Sequence, residues 1–351
     1  MPALSHPAPT PLAQAIALVA NRQSLSESAA AAAFGAVMQG AASPAQIAAL
    51  LIGLRVKGET VAELTGAARA LRAAMVHVEA EGAHLVDTCG TGGGTVSTFN
   101  ISTAAAFVAA GAGAAVAKHG NRSFTSQCGS ADVLEALGVQ ISLDAAAAAR
   151  VLREACLTFL FAPAFHPAMK HAGPVRRELG VPSVMNLLGP LANPAGVRRQ
   201  LIGVADRERA PLVAGALIAL GVDHALVVHG RIGMDEIAPQ GPSDVWEVRD
   251  GAVTQWEIDP ARYGLAITDL APLAGGLPAA NATRIERLLE DGAADQAGLA
   301  ALLLNAGGAL YVAGLADSYG DGVGAAREVV RAGKARAALE RLRRASPSIS
   351  E

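Results

Sequence analysis

The sequence predicts an α/β protein, with a small N-terminal helical domain over residues 1–82 and a larger domain over 83–351 built on a mostly parallel central sheet. Three observations predict it. The first segment carries helix start signals and one-sided apolar spacing. From "AHLVDTCG" onward, short β-type runs alternate with Ala-rich helical stretches, the pattern of a parallel sheet with helical crossovers. The composition is 52% hydrophobic but only 3% aromatic, so alanine and glycine fill much of the interior, which suits close-packed helices better than a β-sandwich.

In the first segment, "SLSE" (Ser24, Glu27) and "TVAE" (Thr60, Glu63) read as capping boxes. "SPAQ" offers Ser43 as N-cap, Pro44 at the first helical position and Gln46 at the third. Ile47, Leu50, Leu51 and Leu54 then fall at i, i+3, i+4 and i+7, one stripe to bury. In the second segment "HLVDT", "AAVAKHG", "LTFLFAP", "RQLIGVA" and "HALVVHG" read as strands. "STAAAFVAAGA" and "SADVLEALG" between them read as helices, the latter closed by Gly138. Val245–Val248 and Val253–Ile258 around "RDG" predict an antiparallel hairpin with an Asp-Gly turn. From "NATRIERLLEDG" the chain is helical again, and the basic tail "AREVVRAGKARAALERLRRA" reads as a solvated face.

A net charge of −3 leaves no global basic surface for nucleic acid. Cys89, Cys128 and Cys156 are too scattered for a disulfide framework or metal cluster, which suggests a reducing cytosol. "MPALSHPAPTPL" lacks the basic and apolar regions of a signal peptide, and the apolar run 104–117 is short of the ~20 residues that span a bilayer. A cytoplasmic protein with no membrane association is expected.

Four blocks carry chemistry. Gly90, Gly92, Gly93 and Gly94 follow the first predicted strand, and a helix is expected to start near Ser102 or Thr103. A strand, a glycine-rich loop and a helix N-terminus together make a phosphate cradle. A tight connection alone would also account for it, and neither the P-loop nor the dinucleotide spacing is present. "KHGNRSFTSQCGSADVLEALG" follows the second strand at the same sheet edge. Lys118 and Arg122 supply charge, and Ser123, Thr125, Ser126 and Ser130 hydroxyls, an inventory for a phosphorylated sugar. In "FHPAMKHAGPVRRELGVPSVMNLLGPLANP", His166 and His171 lack the spacing of a helical zinc pair. Either Arg176 or Arg177 could fork onto a carboxylate, and "NLLGPLANP" reads as a loop shaping an apolar pocket. In "HALVVHGRIGMDEIAP", Asp235 and Glu236 sit in a loop, where adjacent acids can converge on Mg²⁺ or simply be solvated.

In this order, "GTGGG…NIST", "KHGNRSFTSQCGSADVLEALG", "HPAMKHAGPVRRELG…NLLGPLANP" and "MDE" closely resemble the anthranilate phosphoribosyltransferases, from about residue 10 to "NAGGALYVAGLADS". The resemblance implies a nucleoside phosphorylase/phosphoribosyltransferase-like fold, its helical domain completed by helices within about 167–195, and a homodimer formed through that domain. It implies transfer of the phosphoribosyl group of 5-phosphoribosyl 1-pyrophosphate to the amine of anthranilate, in tryptophan biosynthesis. On matching positions, Gly90, Gly93, Gly94, Thr98, Asn100, Ile101, Ser102, Thr103, Lys118, His119, Gly120, Asn121, Arg122, Ser123, Ser126 and Ser130 would hold phosphoribosyl pyrophosphate. Gly90, His119, Asn121, Arg176, Gly189 and Pro190 would receive anthranilate, with Arg176 at its carboxylate. Two Mg²⁺ are implied, one helped by Ser102, the other held by Asp235 and Glu236, and Lys118 and Arg176 would be the catalytic side chains. An aromatic amine is neutral at pH 7, so no strong base is needed, and none is evident.

Two departures stand out. Gly94 replaces the family's usual Asp, which is expected to change Mg²⁺ dependence, and Cys128 replaces a small non-thiol residue. The rivals are a pyrimidine nucleoside phosphorylase-like enzyme, disfavoured by "KHGNR" and "VRRELG", and a non-enzymatic nucleic-acid-binding relative, disfavoured by the charge and by Arg176 and Asp235–Glu236.

Overall fold

A computed structural model describes residues 9–80, 82, 84–123 and 127–346. The chain forms two compact units and crosses between them three times. The helical unit comprises residues up to Met75 together with His166–Ala192, and the α/β unit comprises Val76–Phe165 and the chain from Asn193 onward.

In the helical unit, α1 (Pro11–Ala20), α2 (Glu27–Met38), α3 (Pro44–Lys57) and α4 (Val61–Ala73) come first in sequence. Ser43 with Gln46 and Thr60 with Glu63 form the expected capping boxes. The cap of α2 is Ser26, accepting from the Ala29 amide, rather than Ser24, because the helix starts only at Glu27. Ile47, Leu50, Leu51 and Leu54 are all buried. The first boundary falls at Met75 rather than residue 82. Val76 donates to Phe165 O and Val78 to Pro194 O, so that stretch joins the α/β unit.

The α/β unit continues with β1 (Leu85–Gly90), α5 (Ile101–Ala112), β2 (Ala115–Gly120), α6 (Ser130–Ala136), α7 (Ala145–Ala155), β3 (Leu157–Phe161) and α8 (Ala162–Phe165). The chain then returns to the helical unit for α9 (Gly173–Leu179), which packs on α3, and α10 (Met185–Leu191), which packs on α4. Back in the α/β unit follow β4 (Arg199–Gly203), α11 (Ala210–Ala219), β5 (His224–Gly230), β6 (Ser243–Arg249), β7 (Ala252–Ile258) and α12 (Pro278–Glu290). The last helices are α13 (Gln296–Ala313), α14 (Tyr319–Arg331) and α15 (Lys334–Ala345). The sheet order is β3-β2-β1-β4-β5-β6-β7. Its first five strands are parallel, and the β6–β7 hairpin turns at Asp250-Gly251, both with positive φ, as the Asp-Gly signal predicts.

Two features differ from the sequence expectation. The "NLLGPLANP" loop is partly helical: Leu187, Leu188 and Leu191 bury themselves through α10, whose last turn accommodates Pro190. The basic tail is not merely solvated, because Arg343 and Arg336 reach Glu286 on α12 and Glu340. α13 has the length and composition of a membrane span, yet 83% of it is buried, so it is the core helix of this unit. It packs on α5, β1, β4 and β5.

Candidate active site

The strand order reverses between β1 and β4. Chains leaving the carboxyl ends of these two strands diverge and open a crevice, the usual ligand position in open α/β sheets. The glycine-rich loop leaves β1 there. Gly92 and Gly93 are exposed with φ of +68° and +83°, which makes this turn without a side-chain penalty. Thr91 N–H donates to Gly203 O (2.9 Å), and Thr95 N–H to Gly233 O (3.0 Å). The second partner lies in the loop after β5, which brings Asp235 alongside. Gly203 allows this approach, since a Cβ there would overlap the Asp235 carbonyl oxygen.

The N-cap of α5 is Asn100, not Ser102 or Thr103, which lie within the first turn. Asn100 makes no side-chain cap bond. It donates to Cys128 O (3.0 Å) and accepts from Asn281 Nδ2 (3.0 Å), so it ties the cradle to the loop before α6. Ile101 and Thr103 bury their side chains, and Thr98 lies beside Gly275.

Lys118 projects from β2 into this rim and is buried, donating to Thr88 O (2.5 Å) and Ser102 Oγ (3.2 Å). Burial lowers its pKa, and the charge of Asp87 opposes that shift. Asp87 is itself held by Asn193 Nδ2 (2.8 Å) and the His119 amide (3.2 Å), and burial raises its pKa. Ser130 Oγ donates to Asn121 O (3.2 Å), which fixes the turn after Gly120. Arg122 is committed to α6, with Nη1 2.7 Å from Asp132 and 2.6 Å from Glu135. Ser123 N–H also faces Asp132 (3.4 Å), and the expected Ser126 and Thr125 lie outside the described residues.

The acid pair completes the rim. Asp235 Oδ2 accepts the Gly92 amide (2.9 Å), and Glu236 Oε1 accepts the Ser102 amide (3.2 Å). Loss of surrounding water raises both carboxyls; Glu236 rises to about 8, with the adjacent Asp235 charge adding to the effect. Two desolvated neighbouring carboxylates beside a serine hydroxyl form a hard, all-oxygen donor set suited to Mg²⁺. Among the described residues no group of three or more His, Cys, Asp or Glu could hold a metal alone. An ion here would therefore draw further ligands from substrate phosphates and water.

In the helical unit, Arg177 and Glu178 are exposed while Arg176 is half-buried on α9. Burial lowers the Arg176 pKa, and no carboxylate pairs with it among the described residues. Gly189 is half-buried and Pro190 buried on α10.

Residues 13–75 match the helical bundle domain of a glycosyl transferase family, and residues 82–336 match its a/b domain. An anthranilate phosphoribosyltransferase from Herpetosiphon aurantiacus is 49% identical over 95% of this chain and 98% of its own. The chain belongs to the anthranilate phosphoribosyltransferase family. The crystal structure of the family member from Thermus thermophilus superposes with a TM-score of 0.89, at 41% identity over 94% of this chain and 98% of that one. The Saccharomyces cerevisiae anthranilate phosphoribosyltransferase, in complex with PRPP and Mg, superposes with a TM-score of 0.87, at 26% identity over 95% and 97% of the two chains. Two fully or almost fully buried asparagines brace the rim, Asn193 in "NLLGPLANP" and Asn305 in "NAGGALYVAGLADS", and neither receives a role from the sequence alone. Their partners are 106 and 68 residues away in sequence, so no local pattern announces them.

Proposed function

We propose that the protein transfers the phosphoribosyl group of 5-phosphoribosyl 1-pyrophosphate to the amine of anthranilate, giving N-(5-phosphoribosyl)anthranilate and pyrophosphate. The observation that carries this reading is the convergence of the glycine loop, the first turn of α5, buried Lys118 and the Asp235–Glu236 pair at the switch point of the sheet. The Thr91, Gly92, Ile101 and Ser102 amides are already bonded within the chain, so the diphosphate is assigned to the main-chain amides of Gly93, Gly94 and Thr103 at the positive end of α5. Asn100, Ser102, Asn121 and Ser130 complete the sugar-phosphate contacts. Ser102 would help hold one Mg²⁺ and Asp235 with Glu236 another, and these ions would supply charge neutralisation for the departing diphosphate. Lys118 faces the same charge as the C1–O bond breaks. Its lowered water exposure strengthens that interaction.

The attacking amine already carries its lone pair, so catalysis rests on positioning and on leaving-group stabilisation. We assign anthranilate's carboxylate to Arg176, because a half-buried guanidinium with no acidic partner among the described residues is suited to bidentate recognition. His119, Asn121, Gly189 and Pro190 are assigned to the same substrate. We further read the protein as a cytoplasmic homodimer formed through its helical unit.

Mixing the protein with Mg²⁺, phosphoribosyl pyrophosphate and anthranilate should extinguish anthranilate fluorescence. Arg176→Ala should raise the KM for anthranilate roughly 10- to 100-fold, as expected for loss of a charge-assisted hydrogen bond, with a smaller change in kcat. An unchanged KM would remove Arg176 from the site. Phosphorolysis of thymidine or uridine in place of the transfer would favour the nucleoside phosphorylase reading.

A further inference from the structure

α13 is apolar and almost wholly buried, yet one polar side chain sits in its middle. Asn305 is fully buried. Burying a carboxamide is costly unless every group finds a partner. Here Asn305 Oδ1 accepts the Ile237 amide at 2.9 Å, and Nδ2 donates to Ile237 O at 2.9 Å and to Ala301 O at 2.9 Å. The first two bonds form a reciprocal pair with the main chain of one residue. That residue directly follows Glu236.

We infer that Asn305 is a positioning residue for the metal-binding acid pair, fixing the main chain at Ile237 and so the direction of the Asp235 and Glu236 carboxylates. This rests on the metal assignment proposed above. The rest of the loop shows why a clamp is needed at this point. Its start is closed by the Gly230–Met234 bridge, and Arg231 is anchored to Asp244 at 2.7 Å. Its end is held by Ser243 Oγ accepting the Ala238 amide at 2.9 Å. Between these anchors lie the two acids and Ile237, and Asn305 binds both main-chain groups of Ile237. α13 also comes close there: a Cβ at Gly308 would lie 3.2 Å from Ile237 Cδ1, so a larger residue would push the helix off the loop. Outer-shell groups that orient metal ligands typically govern affinity by 10- to 100-fold.

The test is Mn²⁺ binding to the protein in the presence of phosphoribosyl pyrophosphate, followed by loss of the free-ion EPR signal beyond that in a protein-free control. Asn305→Leu should weaken Mn²⁺ about 10- to 100-fold. Asn305→Ser, whose hydroxyl can still bond Ala301 O but is too short for Ile237, should do the same and serves if the leucine variant does not fold. Leu304→Ala, a buried neighbour on the same helix that makes no hydrogen bond to Ile237 and whose carbonyl accepts from Tyr319 Oη, should lower the melting temperature yet leave Mn²⁺ affinity at the wild-type value. If both Asn305 variants bind Mn²⁺ as tightly as wild type while Asp235→Asn abolishes binding, the clamp inference is wrong and the metal site stands. If Leu304→Ala weakens Mn²⁺ as much as the Asn305 variants, general loosening explains the effect and the inference is also wrong. If Asp235→Asn leaves binding intact, or wild type binds no Mn²⁺, the acid-pair assignment itself fails.

Discussion

The two ends of the central sheet treat buried charge in opposite ways. At the amino end, Glu247 sits among donors: His224 Nε2 is 2.8 Å away, and Trp256 Nε1 and Tyr311 Oη donate to it at 2.8 and 2.7 Å. Burial pushes its pKa up, but these hydrogen bonds more than offset that, and the carboxyl ends below its ordinary value. Arg199 and the His84 ring meet the last carbonyls of α13 at the same end. At the carboxyl end, Asp235 is met by the Gly92 amide and its own, and Glu236 by the amide and side chain of Ser102; the two stand side by side, and burial pushes both up. The amino end is satisfied within the chain and serves stability. At the carboxyl end one buried lysine stands beside two raised acids, and we read the remaining charge balance as left to a bound cation and diphosphate.

Four substitutions can break or sharpen this contrast. Lys118→Met should cost roughly 100- to 1,000-fold in kcat, the range for losing one preorganised electrostatic donor, out of proportion to any fall in melting temperature. A matching fall in thermal stability would place Lys118 among the structural groups instead. Glu247→Gln should do the reverse, lowering unfolding free energy by about 1–3 kcal/mol with kcat/KM unchanged. Its pH signature has a definite sign. A carboxyl depressed in the fold stabilises above its unfolded pKa, and that contribution disappears as pH falls through the folded value. The stability gap between wild type and Glu247→Gln, measured by urea titration, should therefore close on acidification below about pH 4.3, the ordinary glutamate pKa. Glu236→Gln should raise the melting temperature in EDTA by a few degrees above about pH 8, where wild-type Glu236 is ionised beside Asp235, while weakening metal binding, because it relieves like-charge repulsion between desolvated neighbours. A lower melting temperature would contradict the contrast directly. The smallest effect is expected of Gly94→Asp. A Cβ there would lie 3.1 Å from Asp235 Oδ1 and 2.9 Å from Gly233 O, so the new carboxylate joins the acid pair. Its Mg²⁺ titration of activity should be displaced from the parent's; superimposable curves would reject the idea.

Much of this was legible in the chain. The SPAQ and TVAE caps, the strand segments and the Asp-Gly hairpin depend on neighbours within a few residues, and the alternation of strands with helices and the order of the four motifs are patterns of the sequence itself. The errors have a common physical origin. Ser24 lost to Ser26, and Ser102 to Asn100, because a cap is chosen by where tertiary packing starts the helix. The ion pairs of Arg122 with Asp132 and Glu135 on α6 were likewise not legible from its motif. Asn193 and Asn305 stand in quoted motifs, but their roles come only from partners far along the chain.

The three crossings between the units also set a timetable for synthesis. The helical unit lacks α9 and α10 until Ala192 has left the ribosome, by which time β1, β2 and β3 have already been made. Neither unit therefore corresponds to one uninterrupted stretch of nascent chain. A nick after Met75 would free an incomplete bundle rather than a domain.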